Sequence, residues 1–157
     1  SNLGDKKNNL NKSIDLIQKE GIFIKKRSKF YSTKSWPNEN FPNFINSIIF
    51  IETKLNIAEL FLKIKKIEKK LGRTKSKRNH PRICDIDIID FNGEIIHRKL
   101  GNHKLNTPHK RMHNRNFVLF PLYELDKDWV HPKLNKNIVI LMSNLTSDQL
   151  LGIKIAQ

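Results

Sequence analysis

Ile57, Leu60, Phe61, Ile64, Ile67 and Leu71 recur at spacings of three and four, with Asn56 ahead of them and Gly72 behind. This is a helix with one apolar face, capped by the asparagine and stopped by the glycine, and such a face must be covered by another layer. The strands that can cover it lie on the amino-terminal side. Ile22 to Tyr31 reads as one strand, entered through Ile22 and Ile24, and Phe44 to Glu52 as another, apolar apart from Asn46, Ser47 and Glu52. A first helix is expected from a cap at Asp5 to about Glu20, with Leu10, Ile14 and Ile17 on one face and Gly21 as its stop. Trp36, Pro37 and Pro42 punctuate a loop. Farther on, Ile83 to Asp90 reads as a short strand, and Asn92-Gly93 as a tight turn into Glu94 to His97. A polar loop leads on to Pro108, and helices are expected from about His113 to Leu125 and from Asn137 to Leu145. This order predicts an α+β sandwich with an antiparallel sheet.

The 157 residues are expected to form a single domain, 1–157, large enough for a core without staples. No apolar run approaches the roughly 18 residues that span a bilayer, and the first residues have no apolar signal region. Cys84 is the one cysteine, which excludes an internal disulfide and a multi-cysteine zinc site, so the expected compartment is a reducing cytoplasm. The formal net charge of +15 favours polyanionic partners: nucleic acid, an anionic membrane or a phosphate-rich small ligand. Much of it is lysine in a chain also rich in Asn and Ile, where a solubilising surface is the alternative.

The sharper signal is Pro81-Arg82-Ile83-Cys84-Asp85-Ile86-Asp87-Ile88-Ile89. On an extended segment residues two apart share a face, so Asp85 and Asp87 point together and Cys84, Ile86 and Ile88 point oppositely. Adjacent carboxylates repel unless a cation lies between them, and magnesium takes one or two carboxylates plus phosphate oxygens. A solvent-facing acid pair on an edge strand is the other reading. Arg73, Lys75, Arg78 and Arg82 precede the acids, and His109, Arg111 and Arg115 follow, an array that suits a metal and arginines sharing one polyphosphate. No glycine-rich phosphate loop occurs, so if the chain binds ATP it does so through side chains and metal. Phe44 and Asn46 also share a face, placing an aromatic plane beside an amide, as a flat hydrogen-bonding heterocycle requires. A core Phe beside a satisfied Asn fits the same pattern.

Ser1-Asn2-Leu3-Gly4-Asp5, Tyr31-Ser32-Thr33, Phe44-Ile45-Asn46, Ile67-Glu68, Gly72-Arg73, Pro81-Arg82 with Asp85-Ile86-Asp87-Ile88, Pro108-His109, and Arg115-Asn116-Phe117-Val118-Leu119 follow in that order. Together they resemble the 6-hydroxymethyl-7,8-dihydropterin pyrophosphokinase family of folate biosynthesis, over nearly the whole chain to about Pro132. The resemblance implies a ferredoxin-like α/β sandwich and transfer of the terminal pyrophosphoryl group of ATP to the pterin's hydroxymethyl oxygen, releasing AMP. It implies that Asp85 and Asp87 hold two Mg2+ ions, with Asp85, Asp87, Arg82 and Arg78 as the catalytic set. Arg73, Lys75, Arg78, Arg82, His109 and Arg115 would serve the triphosphate, with Ile88 and Asn106 near the adenine and Lys104 near the nucleotide. The pterin would lie between Phe44 and Phe117, with Asn46 reading its edge and Thr33 nearby. Lys34 to Phe41 and Gly72 to Pro81 resemble the family's mobile loops.

The sequence departs from that pattern where Lys34 stands in place of a common Pro, and where Asn79-His80 stand in place of Trp-Gly. The resemblance further leads one to expect a strand ahead of Ser1, in the middle of the sheet, so the sequence reads as a fragment. ATP and the hydroxymethyl pterin are the expected partners of a monomer, with neither nucleic acid nor membrane. The competing expectations are a basic nucleic-acid-binding module, a metal-dependent nuclease or phosphatase, and a truncated, inactive family member.

Overall fold

In a computed structural model, described for residues 1–35, 38–72 and 81–157, the apolar stripe forms the expected helix. The chain runs α1 (Lys6–Lys19), β1 (Phe23–Arg27), β2 (Tyr31–Thr33), β3 (Phe44–Asn46), β4 (Ile49–Glu52) and α2 (Ile57–Lys70). There follow β5 (Ile96–Leu100), β6 (His103–Thr107), α3 (Asn116–Leu125), β7 (Val130–His131), β8 (Lys136–Asn137), α4 (Ile138–Ser143), α5 (Ser147–Leu151) and β9 (Ile153–Ile155). Every strand pair among the described residues is antiparallel, in a mixed helix and sheet architecture as expected. No helix among these residues is long and apolar enough to cross a membrane.

The helix ends follow the local chemistry. Asn56 Oδ1 accepts from the Ala58 and Glu59 N–H groups while Glu59 Oε2 accepts from the Asn56 N–H, a reciprocal cap on α2. At the other end Gly72 has φ 87°, a left-handed conformation that glycine adopts without strain. Asp5 caps α1 by accepting from the Asn8 N–H at 3.0 Å.

Alternation along 48–51 builds two cores. Ile49 and Ile51 pack with Ile17, Ile22, Leu60, Ile64 and Ile67 under α1 and α2. Ile48 and Phe50 pack instead with Val118, Leu119, Leu122, Ile138 and Leu141 under α3 and α4. Helices therefore cover both faces of this strand, as period-two alternation of apolar residues demands.

Three expectations need correction. The two long strands each break in two, with β1 pairing β4 and β2 pairing β3. The break falls at Ser28 and Ser47, whose hydroxyls lie 3.1 Å apart, while Ser28 Oγ takes the Ile48 N–H at 3.0 Å. The Ser28 hydroxyl thus replaces one ladder bond at the bend, while the Ser28 N–H keeps its backbone bond to Ile48 O at 2.9 Å. Ile83–Asp90 bends at Ile83 and joins no ladder among the described residues, and a groove of about 720 Å³ lies between it and β4. Asn92 and Gly93 make the expected turn, with φ 53° and 71° and the Glu94 N–H bonded to Phe91 O at 2.9 Å. The hairpin beyond it is β5 with β6, in what reads from sequence as a polar loop.

Glu20, after α1, accepts from Lys63 at 2.9 Å and Lys70 at 3.1 Å, both on α2. These hydrogen bonds lower its carboxyl to about 2. A depressed carboxyl stabilises the fold above its unfolded value and loses that contribution as pH falls toward the folded one. Glu20→Gln is therefore expected to lower the urea midpoint at pH 7, and the gap from wild type to close between about pH 4.5 and pH 2. A gap that stayed constant over that range would rule this linkage out.

Candidate functional site

With no ladder bonds among the described residues, the acid segment is held at three points. At its start, the Arg82 N–H donates to Asn2 Oδ1 at 2.9 Å and Arg82 O accepts from the Asn2 N–H at 3.2 Å. In its middle, the Ile86 N–H donates to Glu68 Oε1 on α2 at 2.8 Å. At its end, Ile89 O accepts from the His109 N–H at 2.7 Å. Cys84 is buried and its thiol is pushed up by burial, as befits a small core residue.

These anchors bring the acids to the cations. Arg82 Nη1 donates to Asp85 Oδ2 at 2.8 Å, and Arg82 Nε is buried with no hydrogen-bond partner among the described residues. Asp87 Oδ2 lies 3.9 Å from Arg115 Nη1 and 4.0 Å from His109 Nε2, with the Asp87 side chain 44% exposed. Burial pushes the His109 imidazole down from its usual range, Arg115 and Arg111 reinforce this, and Asp87 opposes it. His109 is accordingly neutral at pH 7. The result is two carboxylates at a cleft edge, backed by two arginines and an uncharged imidazole. This array suits a polyphosphate with a hard cation.

A second group faces α3. Thr33 is paired with Phe44 and Tyr31 with Asn46 across β2 and β3, so all four side chains share one face. Tyr31 OH donates to Glu124 Oε2 on α3 at 2.8 Å, which fixes the direction of that face. Asn46 Nδ2 donates to Thr33 Oγ1 at 3.3 Å, orienting the amide. Phe117 sits at the start of α3 with the Arg115 guanidinium 5.3 Å from its ring centroid. Arg115 thus stands between Asp87 and the Phe117 ring.

The remaining candidates scatter. Ile88 packs inward beside Phe61 and Leu105. Lys104 and Asn106, flanking Leu105 on β6, take the opposite face of that strand, and Asn106 Oδ1 lies 2.9 Å from His97 Nδ1. Ile88 is therefore not brought onto one face with them. Arg73, Lys75 and Arg78 lie outside the described residues. Sequence reasoning missed the anchoring by Asn2 and Glu68. Glu68 was legible in principle, because it falls four residues after Ile64, on the apolar stripe itself.

The family model for 7,8-dihydro-6-hydroxymethylpterin-pyrophosphokinase (HPPK) matches residues 1–127. A 2-amino-4-hydroxy-6-hydroxymethyldihydropteridine pyrophosphokinase of Aquifex aeolicus is 38% identical over 136 residues, 87% of this chain and 82% of that protein. A Bacillus subtilis protein of the same name is 38% identical over 126 residues, 80% of this chain and 73% of its own length. The mitochondrial folate synthesis bifunctional protein of Pisum sativum is 38% identical over 125 residues, 80% of this chain but 24% of the pea protein.

Proposed function

The chain belongs to the 7,8-dihydro-6-hydroxymethylpterin-pyrophosphokinase family, and we propose that it transfers pyrophosphate from ATP to the hydroxymethyl group of 6-hydroxymethyl-7,8-dihydropterin. The observation that carries the site assignment is the convergence on one acid pair: Arg82 at 2.8 Å from Asp85, with Arg115 and His109 at 3.9 and 4.0 Å from Asp87. The relatives' names favour this reading over a nucleic-acid-binding module.

In this reading the hydroxymethyl oxygen bonds to the β-phosphorus as the bridge to the α-phosphorus breaks. AMP departs with the bridging electron pair, and the hydroxyl proton passes to solvent. Asp85 and Asp87 would hold Mg2+, a hard ion suited to one or two carboxylates. Bound there, it supplies neutralisation of the phosphate charge. Arg82 Nε is buried without a hydrogen-bond partner among the described residues, and leaving such a donor unmet is costly. Arg82 and Arg115 orient and neutralise the triphosphate, and His109 adds a hydrogen bond. Arg73, Lys75 and Arg78 assist them, with Lys104 and Asn106 toward the nucleoside. Phe44 and Phe117 stack on the pterin while the Asn46 amide, held by Thr33, reads its edge.

A single domain acting as a cytoplasmic monomer on two small substrates belongs to the same reading. So does a ferredoxin-like core. Ser1 and Ile45 exchange both backbone hydrogen bonds, at 3.1 and 2.8 Å, as paired antiparallel residues do.

The deciding assay follows AMP from ATP with magnesium, with and without the hydroxymethyl pterin. AMP that appears only with the pterin is the expected result. Phosphate released from ATP without pterin would point instead to a hydrolase built on the same acids.

A further inference from the structure

Glu68 is a carboxylate with 1% of its side chain exposed, and the reaction outlined above gives it no part. Its Oε2 accepts from Lys65 Nζ at 2.7 Å, one turn back on α2, and its Oε1 accepts from the Ile86 N–H at 2.8 Å. Burial pushes this carboxyl up, and a hydrogen bond with the Asp85 carboxyl adds to the push, against the pull of Lys65 and the Ile86 N–H. Burying a carboxylate is expensive, and a Met or Leu in its place would dock the helix at no such cost. Helix packing therefore does not explain the residue.

Its partner does. Ile86 is the residue between Asp85 and Asp87, and on extended backbone its peptide sets the direction of both flanking side chains. The other two anchors of this segment act at Arg82 and Ile89, each outside the acid pair. Of these three anchors, the Glu68 bond is the one that falls between the acids.

We propose that Glu68 is a positioning residue. By holding the Ile86 peptide it fixes the spacing and direction of the Asp85 and Asp87 carboxylates toward a divalent cation bound with a nucleoside triphosphate. This rests on the assignment of those acids to the metal. It also ties the acids to the end of α2, four residues before Gly72. Outer partners that orient metal ligands typically change metal affinity 10- to 100-fold when removed.

The test measures Mn2+ affinity in the presence of α,β-methylene ATP, by electron paramagnetic resonance of free Mn2+, together with the thermal midpoint and the exchange rate of the Ile86 amide. Glu68→Met keeps volume and burial but accepts no hydrogen bond, whereas Glu68→Gln keeps an oxygen for the Ile86 N–H. The Met variant is expected to remain folded, to exchange the Ile86 amide faster and to bind Mn2+ about tenfold more weakly. The Gln variant is expected to stay within about threefold of wild type, a rescue that a purely structural role would not give. A folded Met variant with wild-type Mn2+ affinity overturns the proposal, as does a Gln variant no better than Met. Asp87→Asn separates the two levels. If it loses Mn2+ while Glu68→Met does not, the Glu68 role alone is refuted. If Asp87→Asn also binds Mn2+ like wild type, the metal assignment falls and this inference with it.

Discussion

Asp87→Ala is expected to lower pterin-dependent AMP release by about 10³-fold or more and to leave the protein folded. The two halves of that expectation have separate causes. Asp87 is 44% exposed, and its cationic neighbours stand at 3.9 and 4.0 Å, the outer limit of an ion pair. Exposed pairs of this kind contribute about 0–1 kcal/mol, so the unfolding midpoint should barely move. Catalysis differs because the carboxylate's work begins only when a polyphosphate and its cation arrive. Without Asp87, the charge on the reacting oxygens is left to arginines alone. Removing one negative charge beside Arg115 also leaves the site more positive, so ATP without magnesium is expected to bind at least as well as to wild type. Retained turnover within about tenfold would remove Asp87 from the metal site. A collapsed thermal midpoint would show the loss to be one of folding.

The sequence made face assignments legible more readily than pairings. Asp85 and Asp87 read correctly as opposite to Cys84, because alternation follows from extended backbone alone. The ladder expected for Ile83–Asp90 is another matter, since a ladder needs a neighbour and alternation does not name one. Its backbone bonds go instead to the Glu68 carboxylate and to His109, with Arg82 just before it bonded to Asn2. The β5–β6 hairpin stayed hidden for the converse reason. Only Leu105 and Thr107 of β6 are buried, while Arg98, Lys99, His103 and Lys104 are exposed, so no apolar alternation marks it. That hairpin carries the chain away after Asp90 and returns it to His109, which is how residues as distant as Arg82 and Arg115 meet the same acids. The residue types were legible at their positions; their meeting required the fold.

Arg82→Ala is expected to cost on the order of 10³ in kcat with little loss of stability. In most buried arginines the two would fall together. Here the guanidinium is only partly satisfied by protein: Nη1 bonds Asp85 at 2.8 Å, while Nε is buried without a partner among the described residues. An unmet buried donor costs about 1–3 kcal/mol, which offsets whatever the partly exposed ion pair contributes. Truncation removes the cost and the pair together, so the urea midpoint should shift by no more than the equivalent of about 1 kcal/mol. The reaction loses a planar donor that neutralises charge as the phosphorus–oxygen bonds exchange, and loses the orientation of Asp85. Arg82→Lys refines the reading. A lysine keeps the charge but lacks the fork, so it should recover nucleotide binding more fully than kcat. Steady-state kinetics beside urea unfolding decides the matter. Full recovery by lysine would reduce Arg82 to a point charge, and parallel losses of stability and activity in the alanine variant would make it a structural residue.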